Sequence, residues 1–253
     1  MKIAVCIKQV VTREWQLRVN DAKTWIRDES ASFELNEPDA YALEEALRLK
    51  EKHGGEVVVC SAGPARASQV IREALARGAD RAIHVESDAL ASADAFTVAE
   101  ALAAAIRDEK VDLVLTGLQS DDQGFGQVGV VLAEKLGIPG ATIIMEVQVS
   151  DGLLRVKREL EGGWFQWITL PLPALLTIQS GINQLRYATL KGIMAAKKKE
   201  IKKVAMPPDL RPGQTIVGLA VPTRAKQTHM IDGSAGDAAK ELVRVLREEA
   251  RVL

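Results

Sequence analysis

Short runs of β-branched and other apolar residues alternate with longer segments of helical periodicity along the first half of the chain. The runs occupy residues 3–7, 56–63, 82–85 and 111–117 and are typical of strands that are buried on both faces. Consecutive parallel strands are joined by right-handed helical crossovers. The alternation therefore predicts an α/β fold with an open, mostly parallel, doubly wound sheet.

Residues that start and stop helices support this order. Asn36 suits the N-cap of a helix, Pro38 suits its first turn, and Gly54 follows its apolar stripe. Three further helices are predicted, over residues 64–78, 93–109 and 126–136.

The pattern changes after residue 140, where short β-like segments follow one another without long helices between them. Turns at Asp151-Gly152 and Gly162-Gly163 separate some of them, which favours antiparallel pairing in an appended β-rich segment. The segments are 142–149, 153–161, 164–169 and 174–178.

The last part of the chain differs in composition. A helical stretch over 186–203 becomes basic, Pro207-Pro208 and 211–213 interrupt it, and an amphipathic helix is predicted over 238–253. We therefore expect a nucleotide-binding α/β domain over 1–190, and over 191–253 a basic stretch, a Pro-rich connector and a C-terminal helical interaction arm.

Charge and cysteine content exclude several classes of protein. The 33 Lys and Arg residues nearly balance the 34 Asp and Glu residues, so no overall basic field attracts nucleic acid. Cys6 and Cys60 both lie in predicted strands, which argues against a disulfide framework and favours the cytoplasm. Because no apolar run reaches the roughly 18 residues of a membrane span, we expect no membrane insertion.

The most informative loop follows the strand that ends at Gly117. Its glycines and the helix after it suit an anion, so it is either a phosphate site or an ordinary glycine-rich turn. It is neither GxGxxG nor a P-loop. No set of acid, base and nucleophile can be assembled along the chain, and no metal-ligand spacing occurs, so we expect a binding or carrier protein with no catalytic residues and no metal.

The lysine run over 197–203 allows three interpretations. It could be a nucleic-acid patch, a solvated helix end, or a surface for a partner protein beside Leu190, Ile193 and Met194. No aromatic residues lie between the lysines to support base stacking.

Several motifs, in order, resemble the β subunits of electron transfer flavoproteins. The most specific is Val156-Lys157-Arg158-Glu159-Leu160-Glu161-Gly162-Gly163-Trp164-Phe165-Gln166, followed by Leu172-Pro173-Ala174-Leu175-Leu176-Thr177. Others are Leu35-Asn36-Glu37-Pro38-Asp39, Ala62-Gly63-Pro64-Ala65, Gly78-Ala79-Asp80-Arg81 and the loop from Gln119 to Gly129. The resemblance spans nearly the whole chain.

This resemblance implies a heterodimer in which an α subunit holds most of a redox-active FAD and this chain binds AMP. Some relatives hold a second FAD in the AMP site and bifurcate electrons. The residues that the resemblance assigns to the nucleotide are Cys6, Asn36, Glu37, Pro38, Asp39, Ala62, Gly117, Leu118, Gln119, Ser120, Asp121, Asp122, Gln123, Gly124, Phe125, Gly126, Gln127 and Val128.

The resemblance also implies a partner-recognition loop. Acyl-CoA dehydrogenases or other flavin dehydrogenases would bind this loop and pass electrons to the FAD of the complex. A quinone oxidoreductase or another acceptor would then receive the electrons. The residues expected in that surface are Tyr187, Leu190, Ile193, Met194, Lys197, Lys198 and Lys199.

One alternative from another class stays open, a stand-alone adenine-nucleotide-binding protein of the stress-response type or a related hydrolase. It shares the α/β plan but does not explain the β-like segments or the terminal arm. Turnover of ATP by the isolated chain would support it.

Overall fold

The fold is taken from a computed structural model that describes residues 1–150, 152–222 and 228–253. The turn predicted at Asp151-Gly152 and the predicted arm each include residues outside these ranges. Two compact units form, Met1–Leu219 and Ala220–Leu253. The roles predicted for 1–190 and 191–253 stay predictions.

The described residues contain eleven strands and six α-helices. The strands are β1 Lys2–Cys6, β2 Gln9–Val11, β3 Phe33–Leu35, β4 Glu56–Gly63, β5 Arg81–Glu86, β6 Leu113–Gly117, β7 Gly140–Ser150, β8 Leu153–Glu159, β9 Phe165–Pro171, β10 Ala174–Ile178 and β11 Ile201–Ala205. The α-helices are α1 Glu37–His53, α2 Ser68–Arg77, α3 Ala95–Ile106, α4 Val128–Leu136, α5 Leu190–Ala196 and α6 Ala235–Arg244.

Nine strands form one sheet in the order β11-β5-β4-β1-β6-β10-β7-β8-β9. The seven strands from β11 to β7 run parallel, which confirms the predicted doubly wound α/β class. Helices α1 and α2 pack on one face of the sheet, and α3 and α4 pack on the other. The sheet is thus covered on both sides, as its apolar strands require.

The β-rich segment is only partly appended. Strands β7, β8 and β9 pair antiparallel, as predicted, and extend one edge of the sheet. Strand β10 instead inserts in parallel between β6 and β7, so the prediction of an appended 174–178 strand is wrong. All five residues of β10 are buried, which suits a central strand better than an edge strand.

The basic segment also differs from the prediction of one helix over 186–203. Helix α5 ends at Ala196, and β11 then pairs in parallel with β5 at the opposite edge of the sheet. The strand has no fully buried residue and exposes Lys202 and Lys203, and charged lysines are typical of edge strands. Helical periodicity and lysine content alone did not show this change.

A short two-stranded antiparallel ribbon of β2 and β3 follows the first strand and was not predicted. It brackets an excursion over residues 12–32, whose outer part is held by an ion pair between Arg66 and Asp28 at 3.1 Å. The ribbon returns the chain to the sheet just before α1, which begins next to the end of β1.

The second unit contains α6, which Ser234 caps through its hydroxyl oxygen, and a π-helical turn over Val245–Glu249. Arg244 pairs with Glu241, Glu248 and Glu249 along this helix. The predicted helix over 238–253 instead begins at Ala235, and its α-helical part ends at Arg244; Leu242 and Val243 on it are exposed. Among all described residues, no helix is both long and apolar enough to cross a membrane.

Candidate functional site

A cleft opens where the carboxyl ends of β1, β4 and β6 meet. These strands are neighbours in the sheet, and Cys6, Ala62 and Gly117 line the cleft from them. The connection after β1 runs through α1 on one face of the sheet, and the connection after the neighbouring β6 runs through α4 on the other face. Such switch points are where open α/β sheets bind ligands. The empty volume is about 800 Å³, including space open to solvent.

The structure brings most of the residues assigned by resemblance to this cleft. Those that line it are Cys6, Asn36, Asp39, Ala62, Gly117, Leu118, Gln119, Ser120, Gln123, Phe125, Gly126, Gln127 and Val128. Glu37, Pro38, Asp121, Asp122 and Gly124 lie around it without lining it. Two of these, Asp121 and Asp122, hold basic side chains at the rim.

Asp39 ties together two strand ends at the base of the cleft. Its carboxylate accepts the backbone N–H of Lys8 at 2.8 Å and that of Gly117 at 2.9 Å. Burial raises its pKa to about 7, and the two backbone donors oppose this only in part. The carboxyl of Asp39 therefore changes its protonation near neutral pH.

Gly117 is required by this arrangement. A Cβ atom there would lie 2.7 Å from the backbone nitrogen of Asp39, closer than real Cβ atoms approach. The glycine thus lets the start of α1 pack directly on the end of β6.

Asn36 holds the loop rather than the helix. It occupies the N-cap position of α1, but its side chain makes no capping hydrogen bond. Its amide nitrogen donates to the Gln119 carbonyl at 3.0 Å, and its oxygen accepts the Asp121 N–H at 2.9 Å. The predicted position was right, whereas the side chain serves the loop over 117–128.

Lys8 lines the cleft and was missing from the predicted residues. Its ammonium group donates to Asp122 Oδ1 at 2.7 Å, to Gln123 Oε1 at 3.0 Å and to Ser120 Oγ at 3.4 Å. The position directly after β1 was the available signal, because ligand-binding residues follow strand ends in such sheets.

The far wall of the cleft is apolar and was also missed. It comes from the segment before α3 and from that helix, with Leu90, Ala91, Ala93, Ala95, Val98 and Leu102. Small and aliphatic residues resemble ordinary core residues in a sequence, so no local signal separated them from the core.

Helix α4 contributes its N-terminus to the cleft, where Gln127, Val128 and Gly129 line it. A Cβ at Gly129 would collide with the side chains of Thr116 and Thr177, at 2.7 and 2.6 Å. The glycine allows the helix end to sit close to the sheet, where its free N–H groups favour an anion.

The two cysteines are inert at ordinary pH. Cys6 and Cys60 lie opposite each other on β1 and β4. Burial raises the pKa of the Cys60 thiol to about 12 and that of Cys6 well above its usual value. In the described part of the chain, no group of three His, Cys, Asp or Glu side chains is placed to hold a metal ion.

A second feature is the outward face of α5, which shows the apolar residues predicted for partner recognition. Tyr187 is 92% exposed, Leu190 79%, Met194 58% and Ile193 45%. The helix is seven residues long, and the Thr189 hydroxyl caps it by accepting the Gly192 N–H at 3.0 Å. These four residues, Tyr187, Leu190, Ile193 and Met194, are called the α5 surface below.

The α5 surface is held rigidly from behind. Arg72 donates to the carbonyls of Ala196 and Lys199 at 2.6 and 2.8 Å. Arg186, just before the surface, bonds the buried carboxylate of Glu44 at 2.8 Å. Burial alone would raise the pKa of Glu44, but its bonds to Arg186 and Arg48 outweigh burial and lower it.

The three predicted lysines fall into two groups. Lys197 and Lys198 are exposed. The ammonium group of Lys199 instead donates to the carbonyls of Leu75 and Ala79 at the end of α2. Lys199 therefore supports the packing of α5 on α2, and its charge is not free for a partner.

Comparison with known proteins gives one family. The protein-family model described as "Electron transfer flavoprotein domain" matches residues 24–209. A protein of Methylophilus methylotrophus, "Electron transfer flavoprotein subunit beta", is 36% identical over 98% of both chains. Proteins of the same description from Bacillus subtilis and Homo sapiens are 34% and 37% identical, and each match covers 99% or more of both chains.

These matches run almost the full length of the chain and agree with the motifs. The chain belongs to the electron transfer flavoprotein family, among its β subunits.

Proposed function

We propose that this chain is the β subunit of a heterodimeric electron carrier. The complex accepts electrons from acyl-CoA or other flavin dehydrogenases and passes them to a quinone oxidoreductase or another acceptor. The observation that carries the proposal is the cleft at the carboxyl ends of β1, β4 and β6, lined by the glycine-rich loop, in a chain of this family.

The residues of the cleft fit an adenine nucleotide. The apolar wall from Leu90 to Leu102 offers a surface for a flat base, and the helix end at Val128 offers N–H donors for a phosphate. Lys8 adds a positive charge to the lining of the cleft. We propose AMP as the occupant, and a second FAD, with electron bifurcation, as the alternative.

The redox FAD is proposed to lie mainly with the α subunit and supplies the electron-transfer chemistry of the complex. This chain then has two tasks: its cleft residues hold a nucleotide as part of the scaffold, and the α5 surface presents the carrier to its dehydrogenases. Neither task needs a catalytic residue.

The α5 surface supports the second task. Leu190 is exposed at the start of a short helix that Arg72 and Gly192 fix against α2, so it can enter a pocket of a partner without reorganisation. Lys197 and Lys198 lie just beyond and would steer acidic partners toward it.

The second unit, Ala220–Leu253, is proposed as the arm that binds the α subunit. Its amphipathic helix leaves Leu242 and Val243 exposed, and such a stripe is normally covered in an assembly. A chain ending at Leu219 keeps the Gly213 and Gln214 N–H groups bonded to Asp94. We expect it to fold but to associate poorly with α, and equally tight association would remove the assignment.

Nucleotide analysis tests the main proposal. The chain is produced alone and together with the α subunit, and the nucleotides released by denaturation are separated by chromatography. We expect the isolated chain to lack FAD and the heterodimer to be yellow, with AMP and one FAD, or with two FAD under the alternative. Stoichiometric FAD in the isolated chain would contradict the proposal.

The stand-alone nucleotide-binding alternative is less well supported, since it does not account for β7–β9 or the second unit. It predicts ATP turnover by the isolated chain, whereas the carrier proposal predicts none. The proposed compartment is the cytoplasm, on the basis of two buried, unpaired cysteines.

A further inference from the structure

The cleft is poor in positive charge for a site that would hold a phosphate. Among the described residues that line it, Lys8 is the one lysine, arginine or histidine. Around the rim stand the carboxylates of Glu37, Asp121 and Asp122, and Arg13 is already paired with the first two. Among the described residues that line the cleft, Lys8 is therefore the one cation that an entering anion can contact. In this structure Lys8 is paired with Asp122.

We propose that Lys8 is the phosphate-binding cation of the cleft and that Asp122 is its substitute partner, displaced when a nucleotide phosphate enters. This inference rests on the proposed nucleotide occupancy of the cleft. Phosphate oxygens replace the Asp122 carboxylate as acceptors, so the ammonium group keeps a negative partner in both states. The Asp122 carboxylate then loses the lysine but keeps the Gln123 N–H, which it accepts at 2.7 Å.

The contacts of Lys8 allow this exchange. Its backbone is fixed, because its N–H donates to Asp39 at 2.8 Å at the end of β1. Its ammonium group, in contrast, contacts only side-chain atoms of the loop, and the side chain is 34% exposed. It can therefore turn toward a ligand without breaking any backbone hydrogen bond of the loop.

The loop does not need Lys8 to keep its shape. The Asn36 side chain bonds the loop backbone at Gln119 and Asp121, and the Gly124 N–H donates to the Ser120 carbonyl at 2.8 Å. Because the backbone is held by these bonds, the Lys8–Asp122 pair is free to act as an exchangeable contact.

The test compares a nucleotide that carries a phosphate with one that lacks it. The flavin-loaded heterodimer is freed of bound nucleotide and titrated with AMP and with adenosine by calorimetry. Lys8→Met should weaken AMP binding by about tenfold or more, as loss of a charge-assisted hydrogen bond does, and change adenosine binding less than about twofold.

Asp122→Asn should change the affinity for AMP in the opposite direction. It removes the competing charge at nearly constant shape, so it should strengthen AMP binding by about threefold, within the range of a weakened ion pair, and leave adenosine unchanged. Asp108→Asn is the matched control, because it removes a carboxylate of the same kind at an exposed position that does not line the cleft, and it should alter neither affinity strongly.

The outcomes separate the two proposals. If the unmodified complex binds neither AMP nor adenosine, the proposed nucleotide site fails, and this inference fails with it. If it binds AMP but Lys8→Met weakens both ligands equally, or Asp122→Asn weakens AMP, then Lys8 is a structural contact of the loop. In that case the nucleotide site stands and the exchange is overturned.

Discussion

The nucleotide cleft and the α5 surface are built in opposite ways. The cleft is assembled from strand ends and loops that are distant along the chain, and buried groups such as Asp39 tie them together. The α5 surface is one continuous segment whose side chains point outward, with its supporting contacts behind it. We infer that damage to the cleft changes stability and binding together, whereas damage to the α5 surface changes partner binding alone.

The most direct test of the cleft disrupts the close packing of α1 on the end of β6. Gly117→Ala places a methyl group against Asp39, so we expect a loss of unfolding free energy of about 2 kcal/mol, as in other overpacked sites, together with lower nucleotide content. Urea unfolding and nucleotide chromatography measure both.

Gly63→Ala is the control for this change, because its new Cβ would meet only the Ala67 methyl at 3.6 Å. A stability loss in Gly63→Ala equal to that in Gly117→Ala would show that the Asp39 contact is not the cause.

The pH dependence of stability sharpens the comparison, since the cleft contains a buried carboxyl, Asp39, whose pKa burial raises to about 7. The folded chain binds the Asp39 proton more tightly than the unfolded chain, because burial raises the pKa from 3.8 to about 7. The stabilisation is complete below about pH 4 and is lost as the pH rises through about 7, with a size on the order of 4 kcal/mol.

Asp39→Asn should flatten this slope, because an amide does not titrate in the range. Urea unfolding between pH 5 and pH 8 measures it, with the exposed Asp88→Asn as a control that keeps the slope. An unchanged slope in Asp39→Asn would mean that another group controls the pH dependence.

Leu190→Ala tests the α5 surface. Because Leu190 is 79% exposed, we expect no loss of thermal stability, but the KM of a dehydrogenase for the carrier should rise about 30-fold, as loss of a hot spot of about 2 kcal/mol predicts. Leu17→Ala, another exposed leucine at 61%, is the control. A lower melting temperature with unchanged KM would show that Leu190 packs within the subunit.

The smallest effect concerns the lysines after α5. Joint replacement of Lys197 and Lys198 by alanine should slow association with a dehydrogenase about two- to threefold at low salt, and the difference should vanish at high salt because exposed charges are screened. Stopped-flow kinetics at two ionic strengths measure it. Lys199→Ala should instead lower stability, because its ammonium group bonds the end of α2.

The order along the chain of β1, β4, β5 and β6 and of the helices between them could be predicted, because each of these strands is a buried apolar run between clear turn or helix signals. Strand β10 and strand β11 could not be placed in the same way. Their positions in the sheet depend on which neighbouring strands have unpaired backbone groups once the other strands have paired. The residues of one strand do not specify which strands will be its neighbours.

The candidate site was predictable to the same degree. The glycine-rich loop and Asn36 stand out in the sequence because backbone conformation and helix starts require particular residue types. Lys8 and the wall from Leu90 to Leu102 do not stand out, since a lysine after a strand and small apolar residues before a helix occur at many places without a site.

The sequence by itself thus determined the class of fold, the family and the segments that form the cleft and the α5 surface. Only the tertiary structure decided which groups share the cleft, that Asn36 serves the loop, and that Lys199 faces inward while Lys197 and Lys198 remain exposed. The physical reason is that local pattern controls backbone conformation and burial. The partner of a polar group is set by whichever distant segment packs against it, as the Asp39 bond to the Gly117 backbone shows.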